Sequence, residues 1–171
     1  MKRTGGGFDA SYNAQTAVDD TAHIIVAAEL GNNASDAGEL LPMIEAIAAN
    51  LGQVPEQALA DAGYRSEAVF EQLADSGIDA VIALGREGKR FAQIDPETHP
   101  HTAAMAAKLQ TDEGKVAYRQ RKWLAEPPNG WIKSVLGFRQ FSLRGLHRVQ
   151  AEWKLVCLAL NLRRMGAMSA A

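Results

Sequence analysis

Apolar and polar residues follow a strand pattern near the start of the chain. Residues 12–18 (YNAQTAV) alternate, residues 19–22 form a polar turn, and residues 23–30 (HIIVAAEL) are β-branched and apolar. Two such segments around a polar turn predict a β-hairpin. Since the second segment is almost continuously apolar, we expect it to be covered on both faces of its sheet.

A helix is predicted after the hairpin. Ser35 is placed to cap its N-terminus, and Asp36 is expected to be an acid that suits the positive end of the helix dipole. Apolar residues recur at helical spacing from Leu40 to Leu51, as they do along a helix that buries one face. Gly52 then predicts the end of the helix, since glycine favours the left-handed position there.

Two short buried strands with a helix between them come next. Residues 58–60 are apolar and lead to Asp61, and residues 78–84 form a second apolar run. Ser66 is placed to cap the intervening helix. The order β-β-α-β-α-β predicts one mixed sheet flanked by helices, which is an α/β fold.

The second half of the chain is predicted to be helical. After a polar connection over residues 85–101, helices are expected at 103–109 and 115–124, with a break at 112–114. Pro127-Pro128-Asn129-Gly130 is expected to interrupt the helix, because proline lacks the N–H that a helix needs. Apolar residues then repeat every three or four positions over residues 145–165, which predicts a long amphipathic helix packed on the sheet.

Length and composition indicate one globular domain over residues 1–171, with flexible ends at 1–11 and 166–171. Cys157 is the only cysteine, so a disulfide framework and a cysteine-based zinc site are excluded; we expect it to be a small core residue. No apolar run reaches the roughly 18 residues of a membrane span. The basic start is not followed by an apolar stretch, so it is not a signal peptide, which predicts a cytoplasmic protein.

Charge is divided unevenly along the chain. Residues 115–165 hold eleven of the eighteen lysines and arginines and two acids, a formal balance of +9, whereas the remainder carries −11. A cationic helical segment of this kind predicts a surface that faces a polyanion. Glu126 needs an explanation, because a carboxylate among phosphate-binding cations weakens binding unless it has a function.

Asp61 is the strongest candidate for chemistry in the acidic part. It follows a predicted strand and precedes Gly63 and a helix, which is where α/β folds place ligands. The equally weighted alternative is that it caps its own turn. If a helix brings Glu126 beside Asp61, the two carboxylates form a pair of the kind that binds Mg²⁺ or Mn²⁺ and serves phosphoryl transfer.

Several motifs resemble the DDE-type transposases of bacterial insertion sequences. Asp61-Ala62-Gly63-Tyr64 is similar to the D-x-G-Y motif around their second catalytic aspartate. Their final motif, in which a tyrosine and a basic residue precede the catalytic glutamate and a lysine follows it, is matched by Tyr118, Lys122, Glu126 and Lys133. The segments YNAQTAVD, GFRQFSLRGL and EWKLVCLALNLRR are also similar, so the resemblance covers residues 8–165.

This resemblance implies a ribonuclease-H-like mixed sheet flanked by helices and metal-dependent cleavage and joining of DNA strands. It implies that Asp61 and Glu126 hold Mg²⁺ or Mn²⁺ and that Lys133 contacts a phosphate. The implied partners are DNA, both transposon ends and target, and a second copy of the chain in a homo-oligomer; no membrane is involved. The expected DNA-binding residues are Tyr118, Arg121, Lys122, Lys133, Arg139 and Arg144, although the last two arginines suit a solvated helix face equally well.

One element of the resembled family is not matched. Its members carry the first catalytic aspartate on a strand before the hairpin, whereas Asp9 lies in the glycine-rich entry and Asp19 and Asp20 lie in a turn. We therefore expect the C-terminal part of a transposase that lacks the first strand and is inactive by itself. The alternatives are a non-catalytic DNA-binding or regulatory remnant and a gene product with no role.

Other patterns are weaker. His99 and His101 are more simply loop residues than metal ligands, since no third ligand is near in sequence. Residues 85–89 fail the spacing of a phosphate-binding loop, and Gly5-Gly6-Gly7 follows no strand. Trp123 and Trp131 suit DNA contact, but aromatic residues at helical spacing more often belong to the core.

Overall fold

The elements of the fold are assigned in a computed structural model that describes residues 11–85 and 94–170, without the side chains of Lys122, Ala125 and Glu126. Asp9, the glycine triplet and most of residues 85–89 lie outside the described residues. The elements in order are β1 (Asn13–Val18), β2 (Ile25–Gly31), α1 (Leu40–Leu51), β3 (Gln57–Ala60), a single 3-10 turn (Ala62–Tyr64), α2 (Glu67–Asp75), β4 (Asp79–Ile82), α3 (Pro100–Lys108), α4 (Asp112–Ser134) and α5 (Leu146–Ser169). The predicted α/β class is confirmed.

The predicted hairpin is formed by β1 and β2, which pair antiparallel with Asn13 opposite Gly31 and a register shift between Ala17 and Val18. Its turn is organised by Asp19, whose carboxylate accepts hydrogen bonds from the backbone N–H groups of Ala22 at 2.7 Å and Ile24 at 2.5 Å. The predicted place of Asp19 in a turn is therefore confirmed. Because both of its carboxylate oxygens accept hydrogen bonds within the turn, Asp19 is a poor candidate for the first catalytic aspartate that the resemblance implies.

The strands β3 and β4 pair parallel, with Gln57 opposite Asp79. Within the described residues they form a sheet of their own, separate from the hairpin. The single mixed sheet that the strand order predicted is therefore not observed. The two strand pairs are joined by side chains instead of ladder hydrogen bonds, because the Tyr64 hydroxyl, beyond β3, donates to the Gln15 side chain on β1.

Two apolar cores lie on the two faces of the hairpin. The first is largely aliphatic and packs Ala27 of β2 with α1, α2, β3 and β4, where Leu73 and Ile82 are almost completely buried. The second packs Ile25 and Leu30 of β2 against Ile132 of α4 and a face of α5. The prediction that β2 is covered on both faces is confirmed.

Cys157 belongs to the second core. Burial raises the pKa of its thiol to about 12, so the thiol stays protonated at neutral pH. Its expected role as a small core residue is confirmed.

The helix starts differ from the predictions. The first helix begins at Leu40, because Asp36 is held in a turn by β1 side chains, and Ser35 accepts only a 3.3 Å bond from the Ala37 N–H. The segment expected to separate two helices at 112–114 instead begins α4. Thr111 is its N-cap and accepts from the Gly114 N–H at 3.0 Å. A Cβ on Gly114 would lie 2.0 Å from the Lys108 carbonyl oxygen, so only glycine permits this close approach.

The double proline does not interrupt α4, which runs through Pro127 and Pro128 to Ser134. This prediction was wrong. The prolines remove two donors from the helix, but the turns on both sides are held by packing, since Ala117 and Ile132 are buried. Tertiary contacts of α4 with α5 and with β1, β3 and β4 thus outweigh the local preference.

The last helix is apolar on two faces, so the prediction of one apolar face was incomplete. Its inner face packs in the second core through Val149, Trp153, Cys157 and Leu160. Its outer face exposes large apolar residues at positions three or four apart, Leu155, Leu158, Leu162 and Met165, and also Met168. No helix within residues 11–85 and 94–170 is long and apolar enough to cross a membrane.

Candidate functional site

Asp61 lies where the sequence predicted, directly after β3 and before the 3-10 turn. Its backbone is extended, and its Oδ1 accepts a hydrogen bond of 2.7 Å from the Gly63 N–H. The turn-capping role considered from the sequence is therefore real. The residue is also exposed, so its carboxylate group is accessible to solvent and to a ligand.

Asp36 is brought to the same place from the segment between β2 and α1. Its Oδ1 accepts from the side-chain amides of Asn13 at 2.6 Å and Gln15 at 2.8 Å. Gln15 also donates to the Asn13 side-chain oxygen at 2.9 Å and is the one buried polar residue within the described ranges. Two alternate positions of β1 therefore hold one carboxylate oxygen and leave the second oxygen of Asp36 directed elsewhere.

The two aspartates meet beside Gly63. A Cβ built on Gly63 would lie 2.8 Å from Oδ2 of Asp36 and 2.9 Å from Oδ1 of Asp61. Both carboxylates thus approach one point, and the absence of a side chain at Gly63 leaves the space that they share. Two carboxylates this close repel each other in water unless a cation or proton lies near them.

The pKa of Tyr64 reflects the negative charge of the carboxylates near it. Burial and then the charges of Asp36, Asp61 and Glu39 raise the pKa of its hydroxyl far above the ordinary value for tyrosine. The neutral hydroxyl donates to Gln15, which in turn holds Asp36. We call the group formed by Asn13, Gln15, Asp36, Asp61 and Tyr64 the carboxylate site.

Glu126 is the predicted partner of Asp61, but its side chain lies outside the described residues, so their predicted meeting stays a prediction. The backbone of Glu126 is in α4. This helix contacts β1, β3 and β4, the strands that carry or flank the carboxylate site. The Lys122 side chain, predicted to contact DNA, is likewise outside the description.

The other predicted DNA-binding residues lie on α4 and the segment that follows it. Lys133, Arg139 and Arg144 are exposed, as a phosphate-binding group needs to be. Arg121 is half-buried, and its guanidinium carbon lies 5.2 Å from the centre of the Tyr118 ring. These two residues therefore interact with each other in the unbound chain.

The histidine pair is explained by helix capping. Glu67 of α2 accepts from the backbone N–H groups of His101 at 2.7 Å and Thr102 at 2.9 Å, and also from the Thr102 hydroxyl at 2.5 Å. Partial burial raises the pKa of Glu67, but these bonds more than offset that effect, so its pKa is lowered overall. His99 is the N-cap residue of α3 and His101 lies in its first turn, so the prediction that both are loop residues was wrong for His101.

No group of three or more His, Cys, Asp or Glu residues is close enough to hold a metal ion within residues 11–85 and 94–170, where the Glu126 side chain is not included. The carboxylate site therefore provides two aspartates, one of which the sequence analysis had treated as a helix-terminal acid. Asp36 was missed because its partners on β1 are more than twenty positions away. The sequence offered one indication of this polar site. Asn13 and Gln15 occupy alternate positions of a strand, and such residues share one face.

Comparison with protein families shows which family the chain resembles. A family model described as a transposase DDE domain matches residues 2–162, which is most of the chain. No curated protein and no solved structure matches the chain significantly.

Proposed function

Because the chain belongs to the transposase DDE domain family, we propose that its carboxylate site is part of the centre that cleaves and joins DNA strands in transposition. The observation that carries this proposal is the meeting of Asp36 and Asp61 beside Gly63. DNA is the partner that the family implies. The clustered cations of residues 115–165 suit DNA, because most of the affinity for DNA comes from phosphate contacts.

The residues of the carboxylate site fit a divalent cation. Mg²⁺ and Mn²⁺ prefer carboxylate oxygens, and the repulsion between Asp36 and Asp61 would be relieved by a positive ion between them. We propose that Asp61, Glu126 and Asp36 hold Mg²⁺ or Mn²⁺. Bound there, such an ion would activate a water or a 3′-hydroxyl and stabilise the leaving oxygen.

The neighbouring residues have positioning roles in this proposal. Asn13 and Gln15 hold one oxygen of Asp36, and the Gly63 N–H holds Asp61. Tyr64 stays neutral and supports Gln15 through its hydroxyl. On the DNA side, Lys133 contacts a phosphate beside the scissile one, while Tyr118, Arg121, Lys122, Arg139 and Arg144 bind the strand.

We further propose that residues 11–170 act as the C-terminal part of the catalytic domain, with a first catalytic aspartate supplied by another strand. The separation of the hairpin from β3–β4 supports this, because two two-stranded sheets leave backbone edges that a further strand can pair with. Little or no strand transfer is therefore expected from the chain by itself. Efficient cleavage and joining of transposon ends with Mg²⁺ or Mn²⁺ would contradict this expectation.

Metal binding by the whole chain tests the proposed centre directly. In calorimetric titration with Mn²⁺, Asp61→Asn and Asp36→Asn are each expected to weaken binding by at least about tenfold, since even loss of a ligand's hydrogen-bond partner costs about 10- to 100-fold. Asp75→Asn, at an exposed position of α2, is the matched control and should change little.

Equal Mn²⁺ binding by all these variants would overturn the metal-binding role. A different result would indicate the non-catalytic DNA-binding remnant instead. In that case DNA binding would depend on salt but not on metal, and it would persist in the Asp61→Ala, Glu126→Ala double variant.

A further inference from the structure

A cavity of about 310 Å³ lies between the end of α4 and the C-terminal half of α5, next to the turn of the hairpin. Its walls include Pro128 and Trp131 of α4, Leu160, Arg163 and Arg164 of α5, and His23. None of these residues belongs to the carboxylate site. Trp131 follows Glu126 by five positions, which at 3.6 residues per turn places the two on different faces of the helix, about 140° apart.

The interior of the cavity is apolar and its rim is aromatic. Leu160 and Pro128 are buried, whereas the Trp131 side chain remains 44% exposed. A large aromatic ring left open beside a recess is suited to stacking with a planar group. A cavity near 300 Å³ is at the small end for ligand sites, so it suits one ring system and not a duplex.

The polar groups around the cavity carry positive charge. The guanidinium of Arg163 lies 5.3 Å from the centre of the Trp131 ring, and Arg164 donates from Nε to the Ala22 carbonyl oxygen. Both side chains are thereby positioned beside the recess. None of the described residues that line it is acidic, so the site favours an anionic ligand.

We propose that this cavity binds a single unpaired nucleotide of DNA, with its base against Trp131 and its phosphate at Arg163 and Arg164. A planar apolar ring joined to a phosphate matches both properties of the site, and base–aromatic stacking accepts any base. The proposal rests on DNA being the partner in the proposed function, but not on the carboxylate site. The residues that would bind this nucleotide are separate from those of the carboxylate site.

The test measures binding of a short single-stranded oligothymidylate and of a duplex of equal length to the whole chain, by fluorescence anisotropy at fixed salt. Trp131→Leu should weaken single-strand binding by about 5- to 150-fold, the range expected for loss of one stacked base. Duplex binding should change much less. Leu155→Ala is the control, because Leu155 is on α5 beside the cavity residues, is 66% exposed and does not line the cavity.

Arg163→Gln provides a second variant that leaves the apolar walls intact, and it should weaken single-strand binding without changing the circular dichroism spectrum. Thymidine monophosphate should compete for the site and quench the fluorescence of Trp131, whereas inorganic phosphate at equal concentration should not. Equal losses in Trp131→Leu and Leu155→Ala, or no loss in either Trp131→Leu or Arg163→Gln, would overturn the proposal. So would competition by an apolar dye but not by the nucleotide.

The nucleotide cavity and the proposed metal centre can be tested separately. Asp36→Asn combined with Asp61→Asn should remove Mn²⁺ binding and leave single-strand binding intact. Loss of single-strand binding in that double variant would show that the cavity is not an independent site.

Discussion

The two strand pairs of this protein are stabilised in different ways. The parallel pair β3–β4 is buried among aliphatic side chains, and Val81 and Ile82 have almost no exposed surface. The hairpin is instead held by helix side chains that bond to the backbone of β2. Asn50 and Gln150 donate to carbonyl oxygens of β2, and Asn161 both donates to the Ile25 carbonyl at 2.8 Å and accepts from its N–H at 2.9 Å.

The difference follows from where each pair is placed. The parallel pair is covered mainly by apolar side chains of the helices, with Lys108 of α3 donating to the Ala80 carbonyl oxygen of β4 at 2.7 Å. The backbone of β2 instead receives hydrogen bonds from three helix side chains, because exposed backbone groups need partners. Gln15 lies where the two arrangements meet, because it receives the Tyr64 hydroxyl from beyond β3 and holds Asp36. The carboxylate site therefore depends on the relative position of the two strand pairs.

The largest effect is expected from removing the main anchor of the hairpin, Trp153. Its ring is 4% exposed and its indole N–H donates to the Gln15 carbonyl oxygen at 3.2 Å. Trp153→Ala should lower the free energy of unfolding by about 3–5 kcal/mol, measured by urea denaturation. Trp123→Ala, at an exposed position, should stay within about 0.5 kcal/mol of the wild type; equal effects would mean that α5 does not anchor the hairpin.

A smaller effect is expected from removing the amide that pairs with Ile25. Asn161→Ala leaves the backbone N–H and carbonyl of a 7% exposed residue without these partners, so the free energy of unfolding should fall by about 1–3 kcal/mol. Asn50→Ala removes one exposed bond and should cost about 0.5–1 kcal/mol. If the two variants are equally stable, the polar support of β2 is not what holds the hairpin.

The smallest effect on stability at neutral pH is expected at Tyr64. This residue tests the contact between the two strand pairs, because its hydroxyl donates to Gln15 of β1. The folded chain holds the pKa of this hydroxyl above its unfolded value of about 10, so its contribution is complete below about pH 10 and is lost as pH rises towards the folded pKa. Stability of the wild type should therefore fall as pH rises above about 10, and Tyr64→Phe should flatten that fall. Urea denaturation across this range measures both, and an unchanged pH dependence in Tyr64→Phe would contradict the assignment.

Much of the architecture could be predicted from local pattern. The hairpin, the two-sided burial of β2, the short strand before Asp61 and the buried Cys157 all follow from periodicity and turn residues, because these signals depend on neighbours in sequence. The uninterrupted α4 could not be predicted, since local propensity argues against a helix through Pro127 and Pro128. Burial of Ala117 and Ile132 on either side outweighs that propensity.

The amino-acid sequence by itself determined the elements, the charge division and the family resemblance, and it singled out Asp61 at the end of a strand. Only the tertiary structure placed Asp36 beside Asp61, separated the strands into two pairs and formed the cavity at Trp131. The physical reason is that elements arise from residues close in sequence, whereas a site arises from side chains that folding brings together. Asn13, Asp36 and Tyr64 come from three different segments, and no local periodicity relates one to another.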